Sequence, residues 1–184
     1  PALVDGRQCA DTEVMPDTSY LTGHLLIAMP AMQDPNFHRT VTYICEHSDQ
    51  GALGIVINRP LPMTLGDVFA QLGLDATQSR VAAEPVLQGG PVQTDRGFVI
   101  HRPAGKSWDS TLEVSQTLHV TTSRDVLAAL ARGEGPEQAV VALGYAGWDA
   151  GQLAVEMQQN AWLNAPVDES ILFDLPFEQR WLAA

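Results

Sequence analysis

Short apolar runs, each stopped by glycine, proline or a polar turn, dominate the first part of the chain. Leu25-Leu26-Ile27-Ala28-Met29 runs into Pro30 and predicts a strand. After the turn-rich stretch Asp34-Pro35-Asn36-Phe37-His38-Arg39, residues Thr40 to His47 are dense in β-formers and alternate with period two. Ser48-Asp49-Gln50-Gly51 reads as a turn. Leu53-Gly54-Ile55-Val56-Ile57 is apolar on both faces, which predicts a central strand closed by Asn58-Arg59-Pro60. The period changes at Thr64. Leu65, Val68, Phe69 and Leu72 form one helical stripe, with Thr64 as the cap, Asp67 in the first turn and Gly73 at the end.

The second part alternates the two patterns. Strands are expected at Pro85-Val86-Leu87-Gln88, at Gly97-Phe98-Val99-Ile100-His101, around Leu112-Glu113-Val114 and around Leu118-His119-Val120. Ser123 caps a second helix with Val126, Leu127 and Leu130 inward and Gly133 closing it. Ala139 to Tyr145 reads as a buried strand, and Gly144-Tyr145-Ala146-Gly147-Trp148 as a strand-to-helix turn with free amides. Asp149 with Gln152 resembles a capping box for a helix carrying Leu153, Met157 and Ala161. Ile171-Leu172-Phe173 suggests a last strand, and Pro176 to Ala184 a helix. Residues 1–20 have no apolar period and carry a net charge of −3, which predicts an acidic, disordered N-terminal tail. Residues 21–184 then form a single mixed α/β domain.

Charge narrows the function classes. Across 184 residues, 22 acidic side chains face 10 basic ones, for a formal net charge of −12. Such a chain repels a phosphate backbone and an anionic membrane on average, so neither direct nucleic-acid binding nor a membrane role is expected. No apolar run approaches the roughly 20 residues of a spanning helix. Two cysteines, Cys9 and Cys45, make no disulfide framework, and a cytoplasmic location is the simplest reading.

Three groups of residues could carry chemistry. Strict alternation from Thr40 to His47 puts Tyr43, Cys45 and His47 on one face, so His47 could activate the Cys45 thiol as a nucleophile. The competing reading is a core cysteine beside a strand-end histidine. No further cysteine or close histidine pair completes a metal site, and no metal or cofactor is expected. Gly89-Gly90-Pro91 lacks the lysine of a phosphate loop and reads as a turn permitting close backbone packing. Third, Asn58, Arg59, Arg96 and His101 sit at strand ends near the turn glycines Gly89 and Gly90, and Trp148 follows a glycine turn. Together they could bind a small anion or a partner's carboxylate.

The pattern resembles the YqgE/AlgH family of bacterial proteins. The resemblance is carried by Gly23-His24-Leu25-Leu26-Ile27-Ala28-Met29-Pro30, Asp34-Pro35-Asn36-Phe37-His38-Arg39-Thr40-Val41, Gly51-Ala52-Leu53-Gly54-Ile55-Val56-Ile57-Asn58-Arg59-Pro60, Gly89-Gly90-Pro91-Val92 and Leu143-Gly144-Tyr145-Ala146-Gly147-Trp148. It implies a single cytosolic α/β domain with a mixed β-sheet of unusual topology flanked by helices. It also implies the label of transcriptional regulator, without a mechanism. A regulatory or adaptor protein, binding a protein partner or a small anionic ligand, is the expected function. A small enzyme using Cys45 and His47 or an arginine-lined site is the alternative, and a homodimer is compatible with either.

Overall fold

Apart from Ile171-Leu172-Phe173, the expected strands pair into one curled sheet in the computed structural model, which describes residues 20–103 and 105–184. The expected tail, apart from Tyr20, lies outside the described residues, as does Cys9. The chain runs β1 (His24–Ala28), β2 (Val41–Ser48), β3 (Gly51–Val56) and β4 (Pro60–Thr64) into α1 (Leu65–Gln71). It continues through β5 (Pro85–Gln88), β6 (Val92–His101), β7 (Thr111–Glu113) and β8 (His119–Thr121) to α2 (Arg124–Ala131). It ends with β9 (Ala139–Asp149), α3 (Gln152–Gln158), β10 (Trp162–Pro166), α4 (Glu169–Phe173) and α5 (Phe177–Ala183). The sheet order is β10-β1-β2-β3-β9-β6-β8-β7, antiparallel throughout this path. Beside it, β5 runs parallel to β9 and pairs with β4. This is the expected mixed α/β domain, its sheet curled into a half-barrel with helices packed on it.

Three clusters hold the layers together. One combines Leu25, Tyr43, Ile55, Leu87, Phe98 and Ile100 from five strands with Ile171 and Leu172 of α4. On the other face, Leu26, Ile44, Ala146 and Trp148 pack with Leu153 of α3. Val86, Val99 and Val141 pack with Phe69 of α1 and Leu130 of α2. The helix caps follow the sequence at Thr64, whose side chain accepts from the Asp67 amide while Asp67 accepts from the Thr64 amide.

Long strand β9 joins the two parts of the sheet. Its first half pairs with β6 and β5, and its second half pairs with β3. The change occurs where Gly89-Gly90 crosses Gly144-Tyr145. A Cβ on Gly89 would lie 2.3 Å from the Gly144 carbonyl oxygen, and one on Gly90 would lie 2.1 Å from the Tyr145 carbonyl carbon. Gly144 itself has φ +81°, a conformation that disfavours any side chain.

Several expectations are corrected. Ile171-Leu172-Phe173 is part of helix α4, capped by the Asp168 side chain accepting from the Ser170 amide, because a three-residue apolar run does not distinguish strand from helix. Gly144 to Trp148 is no turn: β9 continues to Asp149, and Gly147 and Trp148 pair with Leu53 and Ala52 of β3. Its amides therefore form no anion nest. Gly151, with φ +75°, begins α3, and only half of the expected box forms, the Gln152 side chain accepting from the Asp149 amide. Ala161 lies beyond the end of α3 but still packs on its cluster. Strands β4 and β10 carry no apolar pattern that predicts them. The first holds two prolines, and the second has only Trp162 buried.

The crossing predicts a sharp contrast between glycines. Gly90→Ala should cost more than about 3 kcal/mol in urea unfolding, since the clash is with backbone. Gly97→Ala, which meets nothing within 4 Å, should stay within about 0.5 kcal/mol of the parent. Equal effects would contradict the crossing.

Candidate ligand-binding cleft

Residues proposed from the sequence separate once the strand register is known. A β-bulge between Ile44 and Glu46 interrupts the alternation in β2. Tyr43 and Cys45 belong to the cluster with Ile55, whereas His47 pairs with Ala52, which packs with Ile44 and Trp148. The bulge thus turns Cys45 and His47 to opposite faces. The Cys45 thiol is 1% exposed, and burial, with Glu46 nearby, pushes its pKa above the ordinary thiol range. His47 accepts the Leu21 amide proton on Nδ1 at 2.9 Å, which fixes its neutral form with hydrogen on Nε2. Burial lowers its pKa accordingly.

Asn58, Arg59 and Trp148 converge on the Asp34–Arg39 loop. Asn58 accepts from the Val41 amide and donates to the Arg39 carbonyl. The Arg59 fork donates to the carbonyls of Asn36 (2.8 Å) and His38 (3.0 Å). Phe37 stacks on Trp148 and meets Trp162 edge-on. These groups hold a loop together, and Asp34 lies near enough to offset part of the Arg59 charge. Arg96 and His101 lie elsewhere, on β6. Arg96 covers the Phe98 ring and contacts the Gln93 side chain. His101 is buried on the opposite face, between the Arg102 carbonyl and the Thr121 hydroxyl, and burial lowers its pKa. Gly89 and Gly90 serve the backbone crossing.

An arginine that the sequence reading passed over has the most unusual setting. Arg180 is only 3% exposed. Its Nε donates to the Leu175 carbonyl at 3.0 Å and its Nη1 to the Ile57 carbonyl, while the guanidinium lies 4.4 Å from the Phe177 ring centroid. Among the described residues, no carboxylate forms an ion pair with it. Burial alone holds its pKa down to about 10, so the side chain remains cationic near neutral pH. Burying a cation without a counter-ion costs several kcal/mol, which carbonyl dipoles and an aromatic face offset only in part. The residue lines a cleft of about 400 Å³ between the α4–α5 corner and the start of β9. Leu87, Val140 and Phe177 supply apolar walls, and Glu84, Glu137 and Asp174 are exposed acidic residues of the lining. A signal for it was present in the sequence: Phe177, Arg180, Trp181 and Ala184 share one helical face, so a charge sits on an apolar stripe.

Residues 25–184 match the family model described as AlgH-like. The chain belongs to this family. Among relatives of the AlgH-like chain, a UPF0301 protein of Thioalkalivibrio sulfidiphilus is 56% identical over 170 residues, covering 92% of this chain and 90% of the relative. Another, from Azoarcus, is 57% identical over 164 residues, covering 89% of this chain and 87% of its own. The solution structure of the AlgH protein from Pseudomonas aeruginosa superposes with a TM-score of 0.77 at 54% identity, covering 90% of this chain and 87% of that one. A crystal structure of a Corynebacterium diphtheriae protein, at 22% identity and TM-score 0.70, covers 88% of this chain and 83% of its own, and shares the fold. Among the described residues, no group of three metal-ligating side chains converges and no helix is long and apolar enough to cross a membrane.

Two measurements check these settings. In a Cys9→Ser background, iodoacetamide should modify Cys45 only as urea unfolds the protein. Fast labelling of the native state near pH 8.5, about the ordinary thiol pKa, would contradict a buried, protonated thiol. For His47 the folded pKa lies below the unfolded value of about 6.5, so the unfolded state takes up the proton first. Stability should therefore fall as pH drops through that value. His47→Asn should lose less stability than the parent between pH 7.5 and 5.5, and an equal loss would exclude this role.

Proposed function

We propose that this AlgH-like protein is a regulatory domain that works by binding, and that its ligand is a small molecule with an anionic group seated against Arg180. The observation that carries this reading is a buried guanidinium that has no carboxylate partner among the described residues, on the wall of a cleft large enough for a metabolite. An anionic group there would supply the missing counter-charge and a hydrogen-bond acceptor for a planar fork. The cleft wall includes the α4–α5 corner, so occupancy would brace these helices against the sheet. That gives a ligand a route to altering a surface which another protein could read.

The enzyme reading through Cys45 loses support from the opposite orientations of Cys45 and His47. Direct nucleic-acid binding is opposed by the net charge of −12. A protein partner is the second reading. It is favoured by Leu163, 55% exposed on the sheet-edge strand β10, and Val155, 51% exposed on the adjoining α3.

A thermal-shift screen of carboxylates, phosphates and amino acids tests the main proposal. At least one compound class should raise the Tm of the parent and of Arg96→Met, and the shift should vanish in Arg180→Met and Arg180→Lys. A shift that survives both Arg180 substitutions, or that depends on Arg96 instead, would overturn it.

A further inference from the structure

The charges of the cleft are more specific than a site for any anion. One buried cation shares the lining with three exposed acids, Glu84, Glu137 and Asp174. Among the described residues, none of these acids forms an ion pair. Glu84 loses part of its hydration there, and burial raises its pKa with no cation to oppose the effect. The acids do not converge tightly enough to hold a metal ion. A simple anion entering the cleft gains the attraction of Arg180 but meets a rim of net negative charge. A simple cation gains the rim and meets Arg180.

Building on the Arg180 reading above, we infer that the ligand is a small ampholyte, with a carboxylate against Arg180 and an ammonium group directed at the acidic rim. Leu87, Val140 and Phe177 form apolar wall suited to a methylene chain joining the two charges. Free amino acids and ω-amino acids have this chemistry. The two charges of such a molecule meet opposite charges at separate places, whereas a dicarboxylate or a diamine satisfies only one of them.

The test is calorimetry and side-chain NMR of the Arg180 Nε–H at low salt. The probes are β-alanine, γ-aminobutyrate, ε-aminocaproate, butyrate and butylamine. At least one ω-amino acid should bind about tenfold more tightly than butyrate or butylamine, the contribution expected from a few exposed charge pairs, and should shift the Arg180 resonance. The surface variant Glu84→Gln/Glu137→Gln/Asp174→Asn should erase that preference and strengthen butyrate binding. Arg180→Lys, with near-ultraviolet dichroism confirming its fold, should weaken the ω-amino acid at least as strongly. If butyrate binds as well as γ-aminobutyrate and ε-aminocaproate in an Arg180-dependent way, the ampholyte inference fails while the anion reading stands. If no probe shows Arg180-dependent binding, and inorganic phosphate titrated alongside shows none either, both fail.

Discussion

The backbone crossing of Gly89-Gly90 over Gly144-Tyr145 is the constraint on which the remaining architecture rests. It lets one strand, β9, serve two parts of a curled sheet, because the Gly89-Gly90 backbone just past β5 approaches the middle of β9 more closely than any Cβ allows. The Gly89 amide donates to the Leu143 carbonyl, and the Gly89 carbonyl accepts from the Val56 amide. That second bond occupies the end of β3. The next carbonyl along, that of Ile57, takes its donor from Arg180 on the last helix. The glycine crossing thus leads, one residue further along the chain, to the buried guanidinium.

Polar residues at the strand ends serve this architecture. Asn58 and Arg59 follow β3 and donate to backbone carbonyls of the Asp34–Arg39 loop. Phe37 from that loop fills the space beside Trp148 and Trp162. Backbone carbonyls inside a tight loop need donors, and a forked arginine supplies two at once. Trp181 adds another tie by donating to the Ala28 carbonyl at 2.9 Å while Arg39 lies over its ring. Arg102 joins β6 to α4 through Glu169 at 3.2 Å and lies over Phe173. Arg39, Arg59 and Arg102 are thus engaged in long-range ties within an acidic protein.

Much of the fold was readable because period and punctuation agreed. β1, β2, β3 and helices α1 and α2 all follow apolar patterns bounded by caps, glycines or prolines. The unreadable parts depended on tertiary context. Strand β10 pairs Trp162 with Ala28 and Leu163 with Ile27, a register that its own five residues do not announce. The bulge in β2 adds one residue to a regular alternation, and only the pairing of Glu46 with Leu53 exposes it. That single residue separates Cys45 from His47. Site residues were less readable than strands. Arg59 and His101 look like ligand donors because they interrupt apolar runs, but the same position suits a residue that caps a loop or fills a buried corner. Arg180 had the more telling pattern, a charge within the apolar stripe of a terminal helix. Its significance emerges only when Ile57, 123 residues away, is found to be its partner.

The cleft proposals depend on Arg180, a buried guanidinium in the cleft lining that pairs with no carboxylate among the described residues. Anomalous diffraction from crystals soaked in concentrated bromide tests this most directly, since high salt screens the acidic rim. A bromide ion is expected within hydrogen-bond distance of the Arg180 guanidinium on its cleft side. An Arg180 guanidinium found paired with a carboxylate of the chain, with no bromide beside it, would rule out an anion site at Arg180.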